Sequence, residues 1–234
     1  MYAASVTDPL GRPVKAAYGI VRSGGVKTAV MEMSAASGLP LLLPDELNPW
    51  ITSTYGTGEM ISDALNRGCR KFLVGIGGSA TNDAGTGMLS ALGVRFLDSS
   101  GQRLKGCGRD LESIARIDMS SLMPAARESE FIVACDVNTP FCGPDGAARV
   151  FAPQKGADPQ TAEALDLGMR SFAQVIAEQF QTDIVPLSGA GAAGGLGGAF
   201  KAFLNARLTA GIEMVLDAIA FDSLLEGASL VITG

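Results

Sequence analysis

Two runs of alternating apolar and polar positions open the chain, over residues 13–21 and 26–33, and Ser23-Gly24-Gly25 separates them. A period of two marks a strand with one buried face, and a short glycine-rich break between two such runs predicts a hairpin. Its many alanines and valines suit a sheet edge packed on one side. Residues 34–43 read as a short helix or turn, and 45–55 as a polar loop. The period then lengthens. Met60, Ile61, Ala64 and Leu65 share one face of a helix over 58–67, with Thr57 as its cap and Gly68 as its stop. Residues 71–74, 94–97 and 130–135 read as strands, and one helix is expected within 103–127. The longest pattern covers 158–180: Asp158 caps, Pro159 takes the first turn, and Ala162, Leu165, Met169, Phe172, Ala173, Ile176 and Phe180 form one apolar stripe. Residues 183–187 are strand-like, and 229–233 read as a buried strand. Strands alternating with helices predict an α/β fold.

Composition narrows the chemistry. Hydrophobic residues make up 47% and charged ones 18%, an ordinary globular balance, and the thirty glycines gather in loops, as tight strand-to-helix turns require. The net charge of −6 without a basic run speaks against nucleic-acid partners. No apolar stretch is long enough for a bilayer and no leader pattern is visible, so no membrane partner and a cytoplasmic location are expected. The four cysteines lack zinc-ligand spacing and read as buried or idle thiols. There is no histidine, which excludes Ser-His-Asp and Cys-His catalysis and leaves Asp, Glu, Lys or Tyr as general base.

Three glycine-rich loops carry the candidate chemistry. Residues 75–94 (GIGGSATNDAGTGMLSALGV) follow a strand and enter a helix, the setting of an anion site made of backbone N–H groups. Asp83 repels a bare phosphate. It fits if a cation intervenes, if it accepts a substrate proton, or if it merely caps the helix. In the second loop, 134–157, Asp136 and Asn138 sit just past a strand end, where open α/β sheets bind ligands; they suit a magnesium ion or a local turn. In the third, Gly189, Gly191 and Gly194 match dinucleotide-fingerprint spacing, with Glu213 downstream. Glu213 lies in a helical pattern, not at a strand end, and the first loop matches equally well, so that fingerprint is set aside. No P-loop motif is present.

The segments DPLGRPVKAAYGIV, EMSAASGL, STYGTGEMI, GIGGSATNDAGTGMLSALGV, ACDVNTPFCGPDGAARVFAPQKGA and GAGAAGGLGGAFKAF resemble the type-1 glycerate kinases, in family order across nearly the whole chain. The resemblance implies ATP-dependent phosphorylation of D-glycerate with Mg2+, and a two-domain α/β protein in which one domain is inserted into a flavodoxin-like one. On that basis 1–226 correspond to the inserted domain and 227–234 to the start of a flavodoxin-like segment. The family's flanking motifs are not found here, so a truncated and inactive chain is expected. By residue type and loop position the candidates are Asp83, Asp136 and Lys155 for the chemistry. Gly77, Gly78, Ser79, Asn82, Asn138, Gln154, Gly189, Gly191 and Gly194 would bind substrate or nucleotide, and Asp136 the metal. A glycerate- or nucleotide-binding fragment without turnover and a nicotinamide-dependent oxidoreductase remain as alternatives. A homo-oligomer is compatible with the composition.

Overall fold

The computed structural model describes residues 1–232. Small residues alternating with exposed ones build β1 (Tyr2–Thr7), an edge strand that the hydrophobic pattern left unread. It pairs antiparallel with β2 (Pro13–Ser23), which returns through the expected hairpin to β3 (Val26–Glu32). Ser23 faces Val26, so the loop is Gly24-Gly25 alone. Both have positive φ (55° and 81°), the left-handed pair that a two-residue hairpin demands and glycine supplies at least cost. The hairpin therefore lies inside the sheet, and β1 holds the edge.

Short α1 (Ser34–Ser37) and then α2 (Tyr55–Asn66) lead to β4 (Lys71–Gly75), which runs parallel to β3. The α2 helix starts three residues before the expected Gly58. Thr57 is an interior residue bonded to Ser37 through the two hydroxyls at 2.8 Å, and Thr54 stands at the cap. Close packing explains the glycines of that first turn: a Cβ on Gly56 would lie 1.8 Å from the Thr7 carbonyl oxygen, and one on Gly58 would lie 2.3 Å from that of Met88.

After α3 (Thr86–Ala91) come β5 (Arg95–Leu97) and β6 (Arg116–Asp118), a two-stranded antiparallel ribbon, and then α4 (Pro124–Arg127). The helix expected within 103–127 is only the single turn of α4, preceded by a 3-10 helix (Gly108–Ser113) and the ribbon strand β6. The chain there lies against the long helix, where Gly168 leaves room for Leu111. The strand β7 (Glu130–Ala134) pairs parallel with β4. Helices α5 (Ala147–Phe151), α6 (Pro159–Phe180) and α7 (Ala192–Leu204) precede β8 (Arg207–Thr209), which completes the sheet in the order β1-β2-β3-β4-β7-β8.

The α6 helix matches its pattern. The Asp158 carboxylate accepts from the Thr161 N–H at 2.7 Å, and the apolar stripe is buried up to Ile176 against Phe96 and Phe203. Residues 183–187 form a turn, not a strand. Asp183 bonds the Val185 N–H, Pro186 has no N–H for a ladder, and short β8 supplies the final strand instead.

Past β8 lie α8 (Gly211–Ala218) and α9 (Phe221–Leu225). The buried strand expected at 229–233 is not present at 229–232: Leu230, Val231 and Ile232 are exposed and pair with nothing among the described residues, and Thr233 lies outside them.

Candidate functional site

The parallel strands β4 and β7 end side by side at Gly75 and Ala134, and their following loops open a cleft there. In the first loop Gly77 and Gly78 face open space. A Cβ on Gly77 would meet nothing within 4 Å, and Gly78 adopts φ 70°. The backbone at the end of α1 and just after it pins this loop. Leu39 donates to the Gly78 carbonyl at 2.9 Å and Ala80 to that of Ser37 at 3.0 Å, which leaves Ser79 on the cleft wall.

Beyond Ser79 the loop turns inward. Thr81, Asn82 and Asp83 are wholly buried, and none of the three lines the cleft. One Asp83 oxygen accepts from the N–H and hydroxyl of Thr54 (2.7 and 2.8 Å) and from the Gly87 N–H (3.2 Å); the other accepts from the Gly85 N–H (3.1 Å). Burial pushes this carboxyl upward and the four donors pull it back. Its surroundings are those of a cap that ties α2 to α3, the plainest of the three sequence readings. The Asn82 amide N–H reaches Met169 Sδ at 3.3 Å, while its side-chain oxygen, like the Thr81 hydroxyl, is buried without a hydrogen-bond partner among the described residues.

The second loop supplies the charges. Exposed Asp136 uses Oδ1 to accept the Gly211 N–H at 2.7 Å, at the start of α8. Gln154 and Lys155 sit on a 3-10 turn, Pro153–Lys155, closed by Gly156 at φ 96° with no room for a Cβ beside the Leu47 carbonyl. The Lys155 side chain is 1% exposed, and Nζ donates to the Thr81 carbonyl at 2.7 Å. Burial pushes its amine down to about 7, and Asp83 draws it partly back. Cys135, whose thiol burial pushes up, lies on the same wall.

The third loop reaches the cleft through Ala192 and Ala193, not through the glycines singled out. Gly191 and Gly194 admit the carbonyls of Pro140 and Thr81, each 2.2 Å from where a Cβ would stand. Gly189 gives room to Cys135 Sγ. Ala193, Gly194 and Gly195 all take left-handed backbone before α7 becomes regular, an arrangement uncommon for alanine that aims this turn at the cleft. No spacing rule marks Ala193, which has no chemistry of its own.

The cleft holds about 240 Å³, below the roughly 300–1,000 Å³ of drug-sized sites, so a small acid or a phosphate group fits it and a whole nucleotide does not. Lys155 and Asp136 are its charged lining residues. A second cavity of about 470 Å³ shares the wall of Cys135, Asp136 and Val137. Asn138, bonded to the Ser188 hydroxyl at 2.8 Å, lines it together with Gly189, Thr209 and Glu213.

The glycerate kinase family model matches residues 1–234. The chain belongs to the glycerate kinase family. It is 48% identical to the glycerate kinase of Bacillus subtilis (strain 168) and 45% identical to the glycerate 2-kinase of Escherichia coli (strain K12). Each match covers 98% of this chain, and 59% and 60% of the relatives respectively. The crystal structure of glycerate kinase 2 from Salmonella typhimurium LT2 superposes with a TM-score of 0.94 at 45% identity, over 100% of this chain and 62% of that one. The chain thus spans about 60% of the length of the curated glycerate kinases it matches.

Proposed function

We propose that this chain carries the phosphoryl-transfer cleft of an ATP-dependent glycerate kinase. The observation that supports it most directly is the meeting of Lys155, Asp136 and the open Gly77-Gly78-Ser79 turn in one small cleft. Phosphoryl transfer asks the protein chiefly for positioning and charge neutralisation. Exposed N–H groups around Gly78 and the Lys155 amine would take an anionic group. Glycerate is small enough to enter, and the larger cavity beyond Asp136 has room for the nucleoside part of ATP. The E. coli relative is named a 2-kinase, which favours the hydroxyl on carbon 2 as acceptor.

Asp136 leaves one carboxylate oxygen free at the mouth of the cleft, a hard donor of the kind Mg2+ accepts alongside substrate phosphates. It would hold that ion, which supplies charge neutralisation when bound. Its oxygen also stands where a substrate hydroxyl could give up its proton. Asp83 has no such part in this reading, because its oxygens are engaged by four donors. Ser79 and Gln154 line the cleft as polar contacts. Glycerate-dependent ADP release, measured beside a binding titration with each substrate, tests the proposal. Binding of both without turnover would favour the binding-fragment alternative, and binding of neither would remove both.

A further inference from the structure

Lys155 is held in an unusual way for a cation. Lys155 lines the cleft yet is only 1% exposed, and its ammonium has one neutral carbonyl partner and two remaining N–H positions. It makes no ion pair within 4.0 Å among the described residues. The Gly77-Gly78 turn lines the same cleft, where a Cβ on Gly77 would meet nothing within 4 Å. An ammonium so placed lacks solvent and has only the more distant Asp83 as counter-charge, so an amine there is pushed toward its neutral form.

We propose that an oxyanion entering this cleft, a carboxylate or a terminal phosphate, bonds directly to Lys155 and that the protein takes up one proton from solvent as it binds. The proton adds to the lone pair of Nζ, and the resulting N–H bonds reach the anion. This rests on the cleft described above but not on kinase turnover.

The charged neighbours are few. Asp83 faces Lys155 from the loop after β4, where its oxygens are already engaged by Thr54, Gly85 and Gly87. Asp136 faces the cleft from the loop after β7, and Cys135 adjoins it. The third loop contributes only Ala192 and Ala193. The segment 44–47 packs on Gly156, yet neither Asp45 nor Glu46 lines the cleft, and Glu46 is bound by Arg12. A buried amine pushed down to about 7 is mostly neutral above that pH.

The test is calorimetric titration of the protein with D-glycerate in one arm and ADP in the other. Each is run in two buffers of different ionisation enthalpy, at about pH 8 and about pH 5.5. Uptake approaching one proton per anion is expected at the higher pH, falling toward zero at the lower, where the amine is already charged. The arm that carries the uptake identifies the group as carboxylate or phosphate. Lys155→Arg, whose guanidinium is charged at both pH values, should lose the uptake. Binding of both ligands without proton uptake by the unaltered protein, or no binding of either, would overturn the inference without recourse to a variant. Turnover without proton uptake would sink this idea and leave the kinase reading standing. Uptake in a protein that never forms ADP would do the reverse.

Discussion

The Nζ of Lys155 donates to the main-chain carbonyl of Thr81 at 2.7 Å, across 74 residues of sequence. That bond joins the two loops richest in candidate chemistry, and it separates the members of the first loop into those that face the cleft and those that support it. Ser79, before the bond, lines the cavity; Asn82 and Asp83, after it, are sealed below.

Stability should depend on pH through this lysine. Its folded value, about 7, lies below the ordinary 10.5, so between the two the unfolded chain carries a proton that the folded chain lacks. Stability therefore rises from about pH 7 toward about pH 10.5, and below pH 7 the folded state bears the full cost of a buried charge. Lys155→Met should flatten that slope and be the more stable protein at about pH 6, by an amount on the order of 3 kcal/mol. Urea unfolding of both proteins at about pH 6 and about pH 9 checks the sign, and parallel pH profiles would refute it.

Asp83→Asn should act on folding. An amide puts N–H groups where the Thr54, Gly85 and Gly87 donors point, and leaves some of those donors unpaired in the core. A loss of about 3 kcal/mol in stability is expected. Turnover per folded molecule should stay within about threefold of the parent. A stable variant with turnover abolished would return Asp83 to the chemistry.

Asp136→Asn should give the opposite pattern. The residue is exposed, and an amide oxygen can still accept the Gly211 N–H. Thermal unfolding should shift little, while turnover in an active glycerate kinase assay falls about 100-fold or more. Near-normal turnover would remove Asp136 from both the metal and the proton-accepting role.

Glycines of the first and third loops should respond differently to the same change. Gly78→Ala meets only Ser34 Cβ at 3.6 Å and costs about 1 kcal/mol for its left-handed backbone, so the protein folds and its Michaelis constant rises. Gly191→Ala drives a methyl to 2.2 Å from the Pro140 carbonyl and should lose about 2 kcal/mol or more of stability. Equal folding defects in the two variants would argue that both loops serve packing alone.

The amino-acid sequence by itself determined whatever depends on near neighbours along the chain. The paired glycines at 24 and 25 set the hairpin because only that backbone turns there without strain. The three- and four-residue spacing of Leu165, Met169, Phe172 and Ile176 set α6 because side chains at that interval share one face. The absence of histidine bounded the catalytic repertoire before any fold was known. The tertiary structure alone decided which polar residue of a glycine-rich loop meets solvent. Asp83 is held in the interior because Thr54, just before α2, brings two donors to it, and Lys155 faces a cleft because Thr81 anchors its tip. The third-loop glycines fit a ligand fingerprint by spacing but make room for the Cys135 sulfur and the Pro140 and Thr81 carbonyls, which left Ala192 and Ala193 to reach the cleft. A side chain's burial and partners come from segments many residues away, and local spacing carries no record of which segment will arrive.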